Sequence, residues 1–129
     1  MRLILTIAAI SGLLAVVLGA FGAHALKKMI SPEMLEVYKT GVQYQFYHTF
    51  ALLAVGILMH FNTSKALKWS GYLFVVGILL FSGSLYVMTI TGIKALGIIT
   101  PFGGTVWIVA WFLLMMHCCK LSYSKPQSR

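Results

Sequence analysis

The sequence predicts an all-α membrane protein: four transmembrane helices in an antiparallel bundle, with a short amphipathic interfacial helix between helices 1 and 2. Three observations carry this. Hydrophobic residues make up 60% of the 129 positions and charged residues only 9%, with 10 Lys/Arg, two Glu and no Asp. A soluble domain is about 45–50% apolar and about 25% charged. Four runs, at about 3–25, 41–61, 69–92 and 96–117, contain no Lys, Arg, Asp or Glu, and about 20 such residues suffice to span a bilayer. The connections 62–68 and 93–95 are too short for anything but antiparallel hairpins. Four spans take about 80 residues, so residues 1–129 form one domain with no room for a separate soluble core.

The first span, 3–25, imitates a signal peptide, with Arg2 ahead of an apolar run and Ala23-His24-Ala25 as an A-x-A site. The run exceeds the usual h-region of about 7–15 residues, so a retained helix is expected. Ser11, Ala15, Gly19 and Ala23 recur every four residues. Such a small-residue stripe lets helix backbones approach closely in lipid. It serves packing within the bundle or contact between subunits, and so thin a bundle is expected to form a homo-oligomer.

Next, Ser31-Pro32-Glu33 reads as a helix start: Ser at the N-cap, Pro at the first helical position and an acid in the first turn. Glu33, Glu36, Thr40 and Gln43 share one face, with Met34, Leu35, Tyr38 and Val42 opposite, which is the pattern of an interfacial amphipathic helix. A straight helix from Pro32 to Phe61 would be about 45 Å long, longer than the roughly 30 Å hydrocarbon core. A bend or break is therefore expected near Gly41. The second span, 41–61, carries Gln43, Gln45, His48 and His60.

In the third span, 69–92, either serine of Ser82-Gly83-Ser84 can bond the carbonyl four residues earlier and bend the helix. In the fourth, 96–117, Thr100-Pro101 starts or kinks the helix, and Gly103 and Gly104 permit close helix contact. Trp69, Tyr72, Trp107, Trp111 and Tyr123 are expected to form aromatic belts at the headgroups. Residues 118–129 read as a basic cytoplasmic tail.

Topology follows from charge. Both termini share one side with Arg2, Lys65, Lys68, Lys120, Lys125 and Arg129, against Lys27, Lys28, Lys39 and Lys94 on the other. The positive-inside rule places both termini in the cytoplasm of a multi-pass cell-membrane protein. The formal +8 charge is then topological signal and contact with anionic lipid headgroups, and no nucleic-acid partner is implied.

Polar residues inside a membrane are functional candidates by default. His24, Gln43, Tyr44, Gln45, Tyr47, His48, Tyr86, Thr89 and Thr100 fall in the outer half of this topology, with His24 and His48 as the titratable members. Three readings are open: interhelical hydrogen bonding, a ligand or lipid-headgroup pocket open to the outer face, or a proton or metal site. Two histidines without nearby Cys or carboxylate fall short of the four ligands of zinc, so no metal is expected. His117-Cys118-Cys119 is no ligand face, because adjacent helical residues point different ways. The two thiols are read as free, on a reducing side. Gly103-Gly104 lacks the Lys of a phosphate loop, and no nucleophile–base constellation is visible, so neither a cofactor nor a reaction is expected.

The stretches GAFGAHALKK (19–28), YQFYHTFALL (44–53), LFSGSLYVMTITG (80–92) and LGIITPFGGTVWIVAW (96–111) resemble the small bacterial membrane-protein family of unknown function 423, which includes animal transmembrane protein 256. The resemblance covers nearly the whole chain in order. It implies a four-helix inner-membrane protein with no established reaction. The family's motif positions fall on His24, Tyr44, Gln45, His48, Ser82, Ser84, Tyr86, Pro101, Gly103 and Gly104. The expected site is therefore His24, Tyr44, Gln45, His48, Ser82, Ser84 and Tyr86. The expected role is a non-enzymatic, oligomeric protein that binds membrane lipid or a small ligand, or braces an assembly. A small transporter or channel that titrates histidine in place of a carboxylate is the alternative.

Overall fold

A computed structural model describes residues 1–123; Lys125, Arg129 and the second half of the expected basic tail lie outside the described residues. Five α-helices account for most of them: α1 (Arg2–His24), α2 (Pro32–Phe61), α3 (Lys65–Gly77), α4 (Gly83–Thr91) and α5 (Ile99–Tyr123). Short 3-10 turns at Leu26–Lys28 and Lys94–Ile98 complete two of the connections. No strand occurs among the described residues.

Local chemistry sets the helix ends. The Ser31 hydroxyl accepts the backbone N–H of Met34 at 3.2 Å, with Pro32 as the first helical residue. Ser64 caps α3 in the same way through Leu67 N–H at 3.1 Å. α4 stops at Gly92, whose φ of 71° is the left-handed conformation that glycine supplies at helix C-termini. Pro101 sits in the first turn of α5, where its missing N–H costs nothing.

The interfacial segment is not a separate short helix. Residues 32–40 are the opening turns of α2, which continues through Gly41 for 30 residues without a break. Gly41 is closely approached by the third apolar run. A Cβ there would lie 2.9 Å from Tyr86 Cε1, and its carbonyl accepts the Ser82 hydroxyl at 2.7 Å. The missing side chain admits a neighbouring ring.

The third apolar run is interrupted by a single π-helical turn, Ile78–Ser82, between α3 and α4. Ser82 does not bond back along its own helix, because its hydroxyl reaches across to α2. Ser84 does bond locally, to the Phe81 carbonyl at 2.9 Å.

α2 is the central element, with α1 along one side and α3, the π turn and α4 along another, while α5 lies chiefly against α3. The main core gathers Ile4, Ala8, Leu52, Val55, Leu67, Phe74, Trp107, Ala110 and Leu114, and a smaller cluster forms around Leu26, Tyr38 and Val42. Large apolar side chains such as Leu13, Val16, Ile90, Ile108 and Phe112 cover the exterior. A helix assembly apolar outside as well as inside is suited to lipid. Three stretches, Arg2–Lys28, Lys65–Thr91 and Lys94–Leu121, are long and apolar enough to cross a membrane. α2 is not among them, because Gln43, Gln45, His48 and His60 interrupt its apolar residues.

Trp107 departs from the belt expectation. It is 3% exposed and lies in the core, whereas Trp69, Tyr72 and Trp111 are exposed; the Tyr123 side chain lies outside the described residues.

Candidate functional site

Gln45 and Thr49 stand one helical turn apart on the same face of α2, and both are buried against α1. The Gln45 side-chain amide donates to the Ser11 carbonyl at 2.9 Å, and its Oε1 accepts the Tyr86 hydroxyl at 2.6 Å. The Ser11 and Thr49 hydroxyls share a bond of 2.6 Å. One amide thus ties α1, α2 and α4 together. Each interhelical bond of this kind contributes about 0.6 kcal/mol in a membrane protein. Removing Gln45 would cost more than that, because stranded buried partners forfeit about 1–3 kcal/mol each.

The network floors a groove of about 300 Å³. Ile7, Ile10, Leu14 and Leu18 of α1 form one wall, and Val75, Ile78, Leu79 and Gly83 form the other. Ser11, Gln45, Ser82 and Tyr86 lie at the bottom. Toward the start of α1 the groove closes where Ile4 meets Gly71, its Cδ1 being 3.2 Å from where a Cβ would stand. At the other end Leu18 and Tyr86 pack onto Tyr38 and Val42. Ser11 is nine residues after Arg2, or about 14 Å along a helix of 1.5 Å rise. The opening therefore sits about midway along α1, between α1 and the α3–α4 stretch.

The seven expected site residues do not form one cluster. Gln45, Ser82 and Tyr86 line the groove. His24 is exposed at the end of α1. Tyr44 and His48 face α5: the His48 ring lies 3.5 Å from the Trp107 ring at an interplanar angle of 1°, and its Nδ1 is 2.7 Å from the Tyr44 carbonyl. Ser84 joins Thr100 at 2.7 Å, also toward α5. Ser11 and Thr49 are the polar members the expected site lacked. The signal was present, since Thr49 follows Gln45 by four residues and Ser11 is the polar member of the α1 stripe.

The stripe itself is rotated from the expected one. Ser11 and Ala15 are buried and Gly19 lies against Val42, but Ala23 is exposed and Gly22 takes the last contact, beneath the Tyr38 ring. Gly103 is closely approached by Phe81, whereas Gly104 has no neighbour nearer than 3.9 Å. At the far end of α5, His117 is buried and shares a 2.7 Å bond with Ser64, tying α5 to the start of α3. Cys118 and Cys119 are free and exposed beside it.

A family described as "Protein of unknown function (DUF423)" matches residues 18–104. A UPF0382 membrane protein of Staphylococcus aureus is 42% identical over 122 residues, covering 95% of this chain and 99% of its own. The UPF0382 membrane protein YwdK of Bacillus subtilis is 42% identical over 121 residues, covering 93% and 98%. The UPF0382 inner membrane protein YgdD of Escherichia coli K12 is 37% identical over 120 residues, covering 93% and 92%. No solved structure matches.

Proposed function

The chain belongs to the DUF423 family of unknown function, and from that premise we propose that it is a non-enzymatic membrane protein that holds a lipid or small apolar ligand in the groove between α1 and the α3–α4 stretch. One observation carries the reading: a buried, internally bonded network forms the floor of a groove whose walls are aliphatic and whose side is open. A pocket of this volume is within the range of ligand sites, about 300–1,000 Å³. Histidine-coupled transport gains no support from the groove, which neither His24 nor His48 lines. Ser11 and Gly19 of the small-residue stripe pack against α2, while Ala23 stays exposed. In native mass spectra of protein released from mild detergent, the wild type is expected to retain bound lipid-sized adducts. Ile10→Trp, which fills one wall, should lose them, and Leu13→Trp on the exposed face should not. Equal adducts in all three would overturn the reading.

In this reading α2 is the fourth span and both termini are cytoplasmic. Its polar residues are tolerable there because Gln45, His48 and Thr49 are buried among neighbouring helices. The native thiols provide the test. An impermeant maleimide should label Ile30→Cys on intact spheroplasts, and Cys118 and Cys119 only after permeabilisation. The reverse pattern would invert the topology.

A further inference from the structure

We propose that the groove takes the acyl chain of a membrane lipid, which enters sideways at mid-membrane while the headgroup stays in its leaflet, and that Gly83 is the residue that keeps the groove open. This rests on the ligand-binding reading above and specifies its occupant.

The hydrogen bonding of the floor selects the chemistry. Gln45 is engaged by Ser11 and Tyr86, the Ser11 hydroxyl by Thr49, and the Ser82 hydroxyl by the Gly41 carbonyl. Every side chain that makes the floor polar already has a partner in the protein. The floor therefore needs no polar ligand to satisfy it, and a hydrocarbon chain asks for no hydrogen bond in return. The walls offer it aliphatic side chains throughout. The volume, about 300 Å³, is twice the about 150 Å³ of an apolar cavity that accommodates benzene, which suits a stretch of chain better than a compact ring. The groove lies between α1 and the α3–α4 stretch, two stretches apolar enough to cross a membrane, so its open side faces the hydrocarbon layer.

Gly83 supplies the independent observation. Its backbone is ordinary right-handed helix, φ −60° and ψ −43°, so nothing in its conformation requires glycine, which is a poor helix former. Nor does packing require it. Gly77 makes way for Trp107 and Gly103 for Phe81, but a Cβ at Gly83 would meet no atom within 4 Å. Its absent side chain gives space to the groove and to nothing else in the chain. Space lined by aliphatic groups forfeits dispersion contacts unless something fills it, and acyl chain is the filler that surrounds this opening.

The test uses the full chain in lipid nanodiscs containing a trace of phospholipid with a diazirine near one chain terminus, and in parallel a phospholipid with the diazirine on its headgroup. The chain probe is expected to label Leu14 and Leu79 well above Ile108, which faces lipid on the far side. Gly83→Leu should cut the groove labelling at least tenfold while leaving Ile108 labelling and the circular dichroism unchanged. Leu14→Trp, from the opposite wall, should cut Leu79 labelling in the same way and guards against a folding defect peculiar to the first variant. The headgroup probe should label neither wall. If the headgroup probe labels Leu14 and Leu79 and Gly83→Leu blocks it, the groove is a ligand site but the acyl-chain assignment is wrong. If the chain probe labels the walls no more than Ile108, and neither substitution changes this, both the assignment and the ligand-binding reading fall.

Discussion

Gly103→Val is expected to lower the stability of the protein by about 3 kcal/mol or more, while Gly104→Val one position on stays within about 0.5 kcal/mol of the wild type. A Cβ at Gly103 would lie 2.5 Å from the Phe81 backbone nitrogen and 2.9 Å from its Cα. Overpacking costs about 1–3 kcal/mol when side chains can yield, but here the obstacle is main chain in the π turn, so α5 itself must move. That movement strains contacts on either side, including the Ser70 hydroxyl on the Ala110 carbonyl at 2.8 Å and the Ser84–Thr100 bond at 2.7 Å. At Gly104 the nearest atom is the edge of the Phe81 ring, 3.9 Å away, which leaves room for the first branch. Thermal unfolding of both variants in the same detergent checks the contrast. Equal losses at 103 and 104 would mean that α5 does not approach the π turn as described.

Much of the fold was legible because its signals are local. The Ser31 cap needs only residues 31–34, and the apolar runs that become α1, the α3–α4 stretch and α5 are visible in composition alone. The site was only partly legible, because it depends on how each helix is rotated about its axis. By spacing alone His48 can share a face with Tyr44, four residues before it, or with Gln45, three before it. Yet α2 is contacted on several sides, and the four-apart pairs sort themselves differently: Gln45 with Thr49 toward α1, Tyr44 with His48 toward α5. The break expected at Gly41 failed for a similar reason. That expectation rests on the length of α2 alone, whereas the Tyr86 ring and Ser82 hydroxyl that hold Gly41 come from residues some forty positions away. The π turn has no signature in Ile-Leu-Leu-Phe-Ser that distinguishes it from ordinary helix.

Trp107 illustrates the same non-local control, and its loss is expected to be the second large effect. The indole lies where a side chain at Gly77 would stand, donates to the Phe74 carbonyl at 3.3 Å, stacks on His48 at 3.5 Å and meets Phe81 at 4.6 Å between ring centroids. Trp→Ala in soluble cores costs about 3–5 kcal/mol. In lipid the transfer part of that shrinks, since hydrocarbon is as apolar as the core, and packing contacts carry the remainder. Trp107→Ala is therefore expected to lose about 2–4 kcal/mol in reversible unfolding in bicelles or detergent. The stack on His48 supplies a distinguishable share. A double-mutant cycle of Trp107→Ala with His48→Ala should show a coupling of about 0.5–1.5 kcal/mol, the range for paired rings in contact. Gly77→Ala, which pushes the indole from the opposite side, should be destabilising in the wild type and nearly silent once Trp107 is alanine. If Gly77→Ala costs the same in both backgrounds, the indole does not occupy the space over Gly77, and the joint between α3 and α5 is built differently.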